Sequence, residues 1–134
     1  MSWILNWKGY NRKVDEVDDC QFKKDNSLEN RIASSSKMIS KYPDRIPIII
    51  EKHKGCEYIN QLESCKYLVP KEMTMGQFIA MIRSKIKLEP STGMFVFVNN
   101  LLVPNSCCIE SLYNEHKNDD GFMYMKYSAE NTFG

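Results

Sequence analysis

Lys66-Tyr67-Leu68-Val69-Pro70 is a run whose side chains must divide between two surfaces. Neighbours alternate across a strand, so Lys66 and Leu68 go to one face while Tyr67 and Val69 go to the other. Each face then carries apolar surface, and one adds a cation. Pro70 has no N–H and would remove a ladder bond in mid-sheet, which suits a strand end or an edge. An edge leaves backbone donors and acceptors open, and a peptide can add there as one more strand. The same five residues also fit an ordinary half-buried strand closed by proline, so the flanking sequence has to decide.

Upstream, Ile46-Pro47-Ile48-Ile49-Ile50 is a β-branched run suited to a buried strand, reached through a turn at Tyr42-Pro43-Asp44-Arg45. Before it, Leu28, Ile32 and Ile39 recur at helical spacing behind Asn26-Ser27, with Glu29 three past Asn26: a capped amphipathic helix. Pro43 ends it at Lys41 or Tyr42. The two strands lie close in sequence and are expected to pair as a hairpin.

Downstream, Thr74 and Gln77 form a capping box, and Phe78, Ile79, Met81, Ile82 and Ile86 make a stripe that Glu89-Pro90 terminates. Arg83, Lys85 and Lys87 stand near the C-terminus of that helix, where cations suit its dipole. Met94–Val98 is a strand, Asn99-Asn100 a turn, and Leu101–Pro104 the returning strand. Ile109, Leu112 and Tyr113 mark a short helix, and Phe122–Tyr127 a last strand. The order is β-β-α-β-β-α-β with a helix in front, an α+β ubiquitin-like β-grasp arrangement.

Residues 1–21 read as an arm, with Trp3, Ile4, Leu5 and Trp7 ahead of Asp15-Glu16-Val17-Asp18-Asp19. The tip either meets a membrane or partner, since indoles favour interfaces, or is a mobile terminus or a segment folded onto the domain's own surface. Residues 22–127 make the domain. Residues 128–134, ending Phe133-Gly134, lack periodicity and read as a flexible tail.

The formal net charge of +1 gives no global footprint for nucleic acid. Residues 27–88 nevertheless hold eleven Lys or Arg against six Asp or Glu, while residues 89–134 hold two against six. A basic centre beside an acidic final third fits a partner with acidic flanks, and fits a mixed solvated surface equally well. Five cysteines in no C-x-x-C pair, with two histidines, give neither zinc spacing nor a disulfide frame, which suits a reducing cytosol. No run is apolar and long enough to span a bilayer. There is no nucleophile–base pair, phosphate loop or metal cluster, so no catalytic residue, metal or cofactor is assigned and the chain reads as a non-enzyme.

Six runs then appear in register: Lys41–Pro47, Lys66–Pro70, Gly76-Gln77-Phe78, Phe97–Asn100, Leu112–His116 and Asp120–Tyr124, with an aromatic-glycine terminus. Together they resemble the autophagy modifiers of the GABA-receptor-associated protein and microtubule-associated light-chain type, the autophagy-related protein eight family, from about Phe22 to Gly134. The resemblance implies a ubiquitin-like domain with two added N-terminal helices. It implies conjugation of Gly134, through a thioester on activating and conjugating enzymes, to phosphatidylethanolamine, with a deconjugating cysteine protease as a further partner. Glycine has no Cβ and can thread a narrow slot beside the thioester, and Phe133 offers the machinery an apolar grip. The implied location is cytoplasmic, and the autophagosomal membrane when lipidated.

The resemblance also implies binding of cargo receptors that carry an aromatic, two spacers and an aliphatic, by addition to the Lys66–Pro70 strand. Carried over by position, the aromatic pocket is Met38, Pro47, Ile49, Lys66, Leu68 and Phe122. The aliphatic pocket is Tyr67, Val69, Pro70, Met73, Phe78, Met81 and Ile82, with Phe78 and Ile82 equally suited to plain core. Arg45, Lys66 and Lys85 would attract acidic flanks. The chain departs from the family at Asn26-Ser27 (usually His-Pro), Leu28 (an aromatic), Ser34 (often a glutamate lining the first pocket), and Ser64 and Cys65 (frequently lysines). The alternatives are a protein-conjugated modifier of the same fold and a non-conjugated trafficking or cytoskeletal adaptor that uses the pockets alone.

Overall fold

The computed structural model describes residues 20–56 and 59–130. The Trp3–Trp7 tip, the acidic run at 15–19, Phe133 and Gly134 lie outside them.

Two helices open the domain. The first, α1 (Gln21–Asp25), is one the periodicity passes over, because five residues carry no repeat. Both oxygens of Glu51 cap it, accepting from the backbone N–H of Gln21 (3.0 Å) and Phe22 (2.9 Å). Cys20 is buried and Gln21 is capped from the sheet, so both pack with the domain. The second, α2 (Leu28–Lys41), is capped by Ser27, whose hydroxyl accepts from Asn30 N–H at 3.1 Å. The Asn26/Glu29 pairing does not form. Asn26 instead donates its amide to Phe22 C=O, closing α1.

Then follow β1 (Arg45–Lys52), β2 (Lys66–Pro70), α3 (Met75–Ile86), β3 (Met94–Val98), β4 (Leu101–Leu102), α4 (Ile109–His116) and β5 (Met123–Ala129). The sheet runs β2-β1-β5-β3-β4. β1 pairs antiparallel with β2, from Arg45 with Pro70 to Ile49 with Lys66, and parallel with β5. β3 joins β5 and β4 antiparallel across the Asn99-Asn100 turn, where both residues have positive φ, the geometry of the tight hairpin that asparagine tolerates.

The Thr74/Gln77 capping box forms with both of its bonds. The helix stops earlier than Glu89-Pro90 suggests: Lys87 turns left-handed (φ 55°) and returns its N–H to Arg83 C=O. The Arg83 side chain then holds the carbonyls of Thr92 and Glu89 at 2.6 and 3.0 Å, fixing the descent into β3. At the other end, β5 runs two residues past the expected tail boundary, because Ser128 and Ala129 find pairing partners in Phe95 and Met94.

The main core lies on the α3 side of the sheet. Ile48, Ile50, Phe78, Ile82, Val96, Val98, Met123, Met125 and Tyr127 share it, all essentially without exposed surface. Period-2 alternation along β1 and β5 sends Ile49, Phe122 and Tyr124 to the opposite face, beneath α1 and α2.

Candidate functional site

Strand β2 borders the sheet, with β1 as its single strand neighbour among the described residues. Ile50 N–H donates to Cys65 C=O (2.8 Å) and Lys71 N–H to Asp44 C=O (3.1 Å), which sets the phase of the antiparallel ladder. Tyr67 and Val69 therefore spend their backbone groups on β1, while the N–H and C=O of Lys66 and Leu68 turn outward. Those outward groups are lightly held. Ser64 Oγ sits 3.4 Å from both the N and the O of Lys66, and Arg45 Nη1 is 3.5 Å from Leu68 O. All three are at the long limit of a hydrogen bond. Among the described residues, this is an open edge.

The alternation read along β2 is what the side chains do. Tyr67 and Val69 join the main core. Lys66 goes to the helix side, its ammonium donating to Ser34 Oγ at 3.2 Å and standing 5.9 Å from the Phe22 ring centroid.

On that helix side, Ile49 and Phe122 are fully buried, with Met38 packed against them. Pro47 faces Leu68 across the β1–β2 ladder, and Ile49 faces Lys66. The residues expected to line an aromatic pocket thus lie on one face of the sheet, Ile49 and Phe122 fully buried and Leu68 and Met38 half-buried. On the opposite side, Val69, Phe78 and Ile82 are core residues with at most 3 % of their surface exposed. Half-buried Tyr67, Met73 and Met81 and exposed Pro70 carry what surface that side offers. Burial pushes the Tyr67 phenol above its ordinary value, with Cys65 and Glu63 adding to the shift. Arg45, Lys66 and Lys85 are all exposed, and none forms an ion pair with a described residue. Lys85 stands 5.7 Å from the Tyr67 ring centroid.

Sequence reasoning missed two things here. The first is Phe22, whose ring meets Phe122 edge-on with centroids 5.4 Å apart, beside Cys20 and Tyr124. The second is the buried lock under α2. Arg31 Nη1 pairs with Asp120 Oδ2 at 2.6 Å, Tyr124 donates its hydroxyl to the same oxygen, and Phe122 N–H donates to Oδ1 at 2.9 Å. Ser35 Oγ donates to Asp120 C=O at 2.5 Å. Burial and the Asp120 carboxylate hold the Tyr124 phenol far above its usual range. The i,i+4 spacing of Arg31 and Ser35 was visible, but nothing local tied it to a carboxylate 89 residues away.

A five-stranded mixed sheet with one long helix across one face, an open edge strand and extra N-terminal helices on the other face defines a ubiquitin-like protein of α+β β-grasp class. A family model described as autophagy protein Atg8, ubiquitin like, matches residues 30–134. Autophagy-related protein 8a of Arabidopsis thaliana is 49% identical over 113 residues, covering 84% of this chain and 92% of that protein. Autophagy-related protein 8 of Schizosaccharomyces pombe is 46% identical over 114 residues, covering 85% and 93%. The crystal structure of Trypanosoma brucei ATG8 superposes with a TM-score of 0.81 at 40% identity, covering 87% of this chain and 99% of that one. The chain belongs to the Atg8 family of ubiquitin-like autophagy proteins.

Proposed function

We propose that this chain is a lipid-conjugated autophagy modifier that displays a peptide-binding edge. Gly134 is the residue joined to phosphatidylethanolamine, after passage through activating and conjugating enzymes, and a cysteine protease reverses the bond. On this reading the catalytic groups belong to those enzymes and the chain is their substrate. It resides in the cytoplasm, and on autophagosomal membranes once lipidated. No helix of the described residues is long and apolar enough to cross a membrane.

The observation that carries the binding half is the open edge of β2 with apolar side chains on both faces. An added strand bonds to the outward N–H and C=O of Lys66 and Leu68. Positions 0 and +3 of a strand point to opposite faces because three is odd. An aromatic, two spacers and an aliphatic therefore place one anchor over Ile49 and Phe122 and the other over Val69, Phe78 and Ile82, with Tyr67, Met73 and Met81 at the rim. Exposed Arg45, Lys66 and Lys85 favour acidic flanks. Burying each anchor is worth roughly 1.5–3 kcal/mol. Net of association and ordering, affinity falls on the order of micromolar.

Two measurements test the reading. Titration of a labelled aromatic-x-x-aliphatic peptide gives saturable binding that Leu68→Ala abolishes. Incubation with activating and conjugating enzymes, ATP and phosphatidylethanolamine liposomes gives a lipidated band that Gly134→Ala removes. Binding with no Gly134-dependent band sinks the conjugation half and leaves a non-conjugated adaptor; a band on a protein lysine instead of lipid identifies a protein-conjugated modifier.

A further inference from the structure

We propose that Phe22 is a built-in competitor for the aromatic slot beside β2, held there by Glu51; this rests on the peptide-binding reading above. Phe22 packs against the floor residues of the proposed slot, in one cluster with Ile49, Phe122 and Met38. Its ring meets Phe122 edge-on at 5.4 Å and lies 6.5 Å from the Tyr124 ring. Those are the separations at which aromatic pairs attract. The floor residues Ile49 and Phe122 have no exposed surface while it is in place. The Lys66 ammonium, one of the cations offered to the peptide, stands 5.9 Å from the Phe22 ring centroid. The slot is thus occupied by a side chain with the chemistry of its own ligand.

The anchor of this plug is separate from the slot. Glu51 grips α1 by the N–H groups of Gln21 and Phe22, one carboxylate oxygen for each. Asn26 closes the other end on Phe22 C=O. Five residues make a helix too short to persist by itself, so these contacts set its position. Phe22 also borders an open cleft of about 500 Å³ whose lining is mostly polar, with Glu51, Lys52, Gln61, Glu63 and Lys126 beside Leu62 and Cys65. Peptide binding therefore trades one aromatic for another. The apparent affinity is lowered by the fraction of molecules in which Phe22 is seated.

The test is the dissociation constant of a labelled peptide with Trp and Leu anchors, measured on the full chain as wild type, Phe22→Ala, Glu51→Ala and Leu68→Ala. Thermal unfolding of each variant confirms that it is folded. Emptying the slot, or releasing α1 from its anchor, tightens binding by roughly three- to tenfold, while Leu68→Ala abolishes it. Weaker or unchanged binding in both Phe22→Ala and Glu51→Ala overturns the proposal and makes Phe22 a wall of the slot. Full binding by Leu68→Ala overturns instead the peptide-edge reading beneath it. If Phe22→Ala fails to fold, Glu51→Ala and amide exchange on the wild type carry the test. Saturating peptide speeds exchange at Gln21 and Phe22 if the plug is displaced. Unchanged or slower exchange overturns it.

Discussion

The two faces of this sheet are held by different physics. The α3 face is a continuous apolar core in which eighteen buried residues pack together with no charge among them. The apolar cluster on the α2 face has three buried members among the described residues, Cys20, Ile49 and Phe122, and the helix is fastened with a carboxylate, a guanidinium and hydroxyls. Helix α2 even turns its oily stripe outward: Leu28, Ile32 and Ile39 are 51%, 41% and 37% exposed, while Ser35 is buried. An apolar face is non-directional and tolerates repacking, whereas a buried polar lock specifies one seating and fails when a single member is lost. A face of the second kind suits a place where a slot has to be shaped between a helix and an edge strand.

Phe78→Ala is expected to give the largest effect, roughly 3–5 kcal/mol from lost burial and the cavity left behind, read from the urea midpoint at constant slope. Asp120→Ala is expected to cost roughly 3 kcal/mol, because it leaves Arg31 and the Tyr124 hydroxyl without the carboxylate they were buried against. If it unfolds at the wild-type midpoint, the polar lock is ornament and the contrast between the faces disappears.

Gly121→Ala is expected to cost roughly 1–3 kcal/mol. Gly121 has φ +91°, and an added Cβ would sit 2.3 Å from Ser35 Oγ. Combining it with Ser35→Gly removes the clash but not the backbone strain, so the double variant recovers part of the loss in a mutant cycle. Full recovery would mean the conformation itself is unstrained.

Alkaline pH sharpens the same comparison. Burial and Asp120 raise the Tyr124 phenol far above its unfolded value near 10. The native state then holds a proton that the unfolded state releases, so stability is intact below about pH 10 and falls as pH rises beyond it. Tyr124→Phe should flatten that slope; burial raises Tyr127 and Tyr113 too, so part of it persists. Smallest of all, Ile32→Ser should shift stability by within about 0.5 kcal/mol, since the side chain is already exposed. A loss of several kcal/mol would show that the outward stripe is covered.

Much of the fold was legible because its signals are local. The Thr74/Gln77 box, the Asn99-Asn100 turn, the isoleucine run of β1 and the alternation of Lys66–Pro70 each lie within a few residues, and each formed as read. The misses were non-local or too short for a period. α1 is five residues capped from a strand about thirty positions on, and Ser128 and Ala129 became strand only because β3 lay beside them. The site divides in the same way: the alternation along β2 was legible, but not that Phe22 would lie against Phe122.

Sequence alone determined the order of elements from α2 onward, the two-sided character of β2 and the family, because periodicity, caps and motif spacing are written along the chain. Only the tertiary structure decided which strand is the open edge, which face of α2 is buried, and that Arg31, Ser35 and Tyr124 meet at Asp120. Those are outcomes of pairing between distant segments, where burying one carboxylate with its partners outweighs the apolar pattern of a single helix.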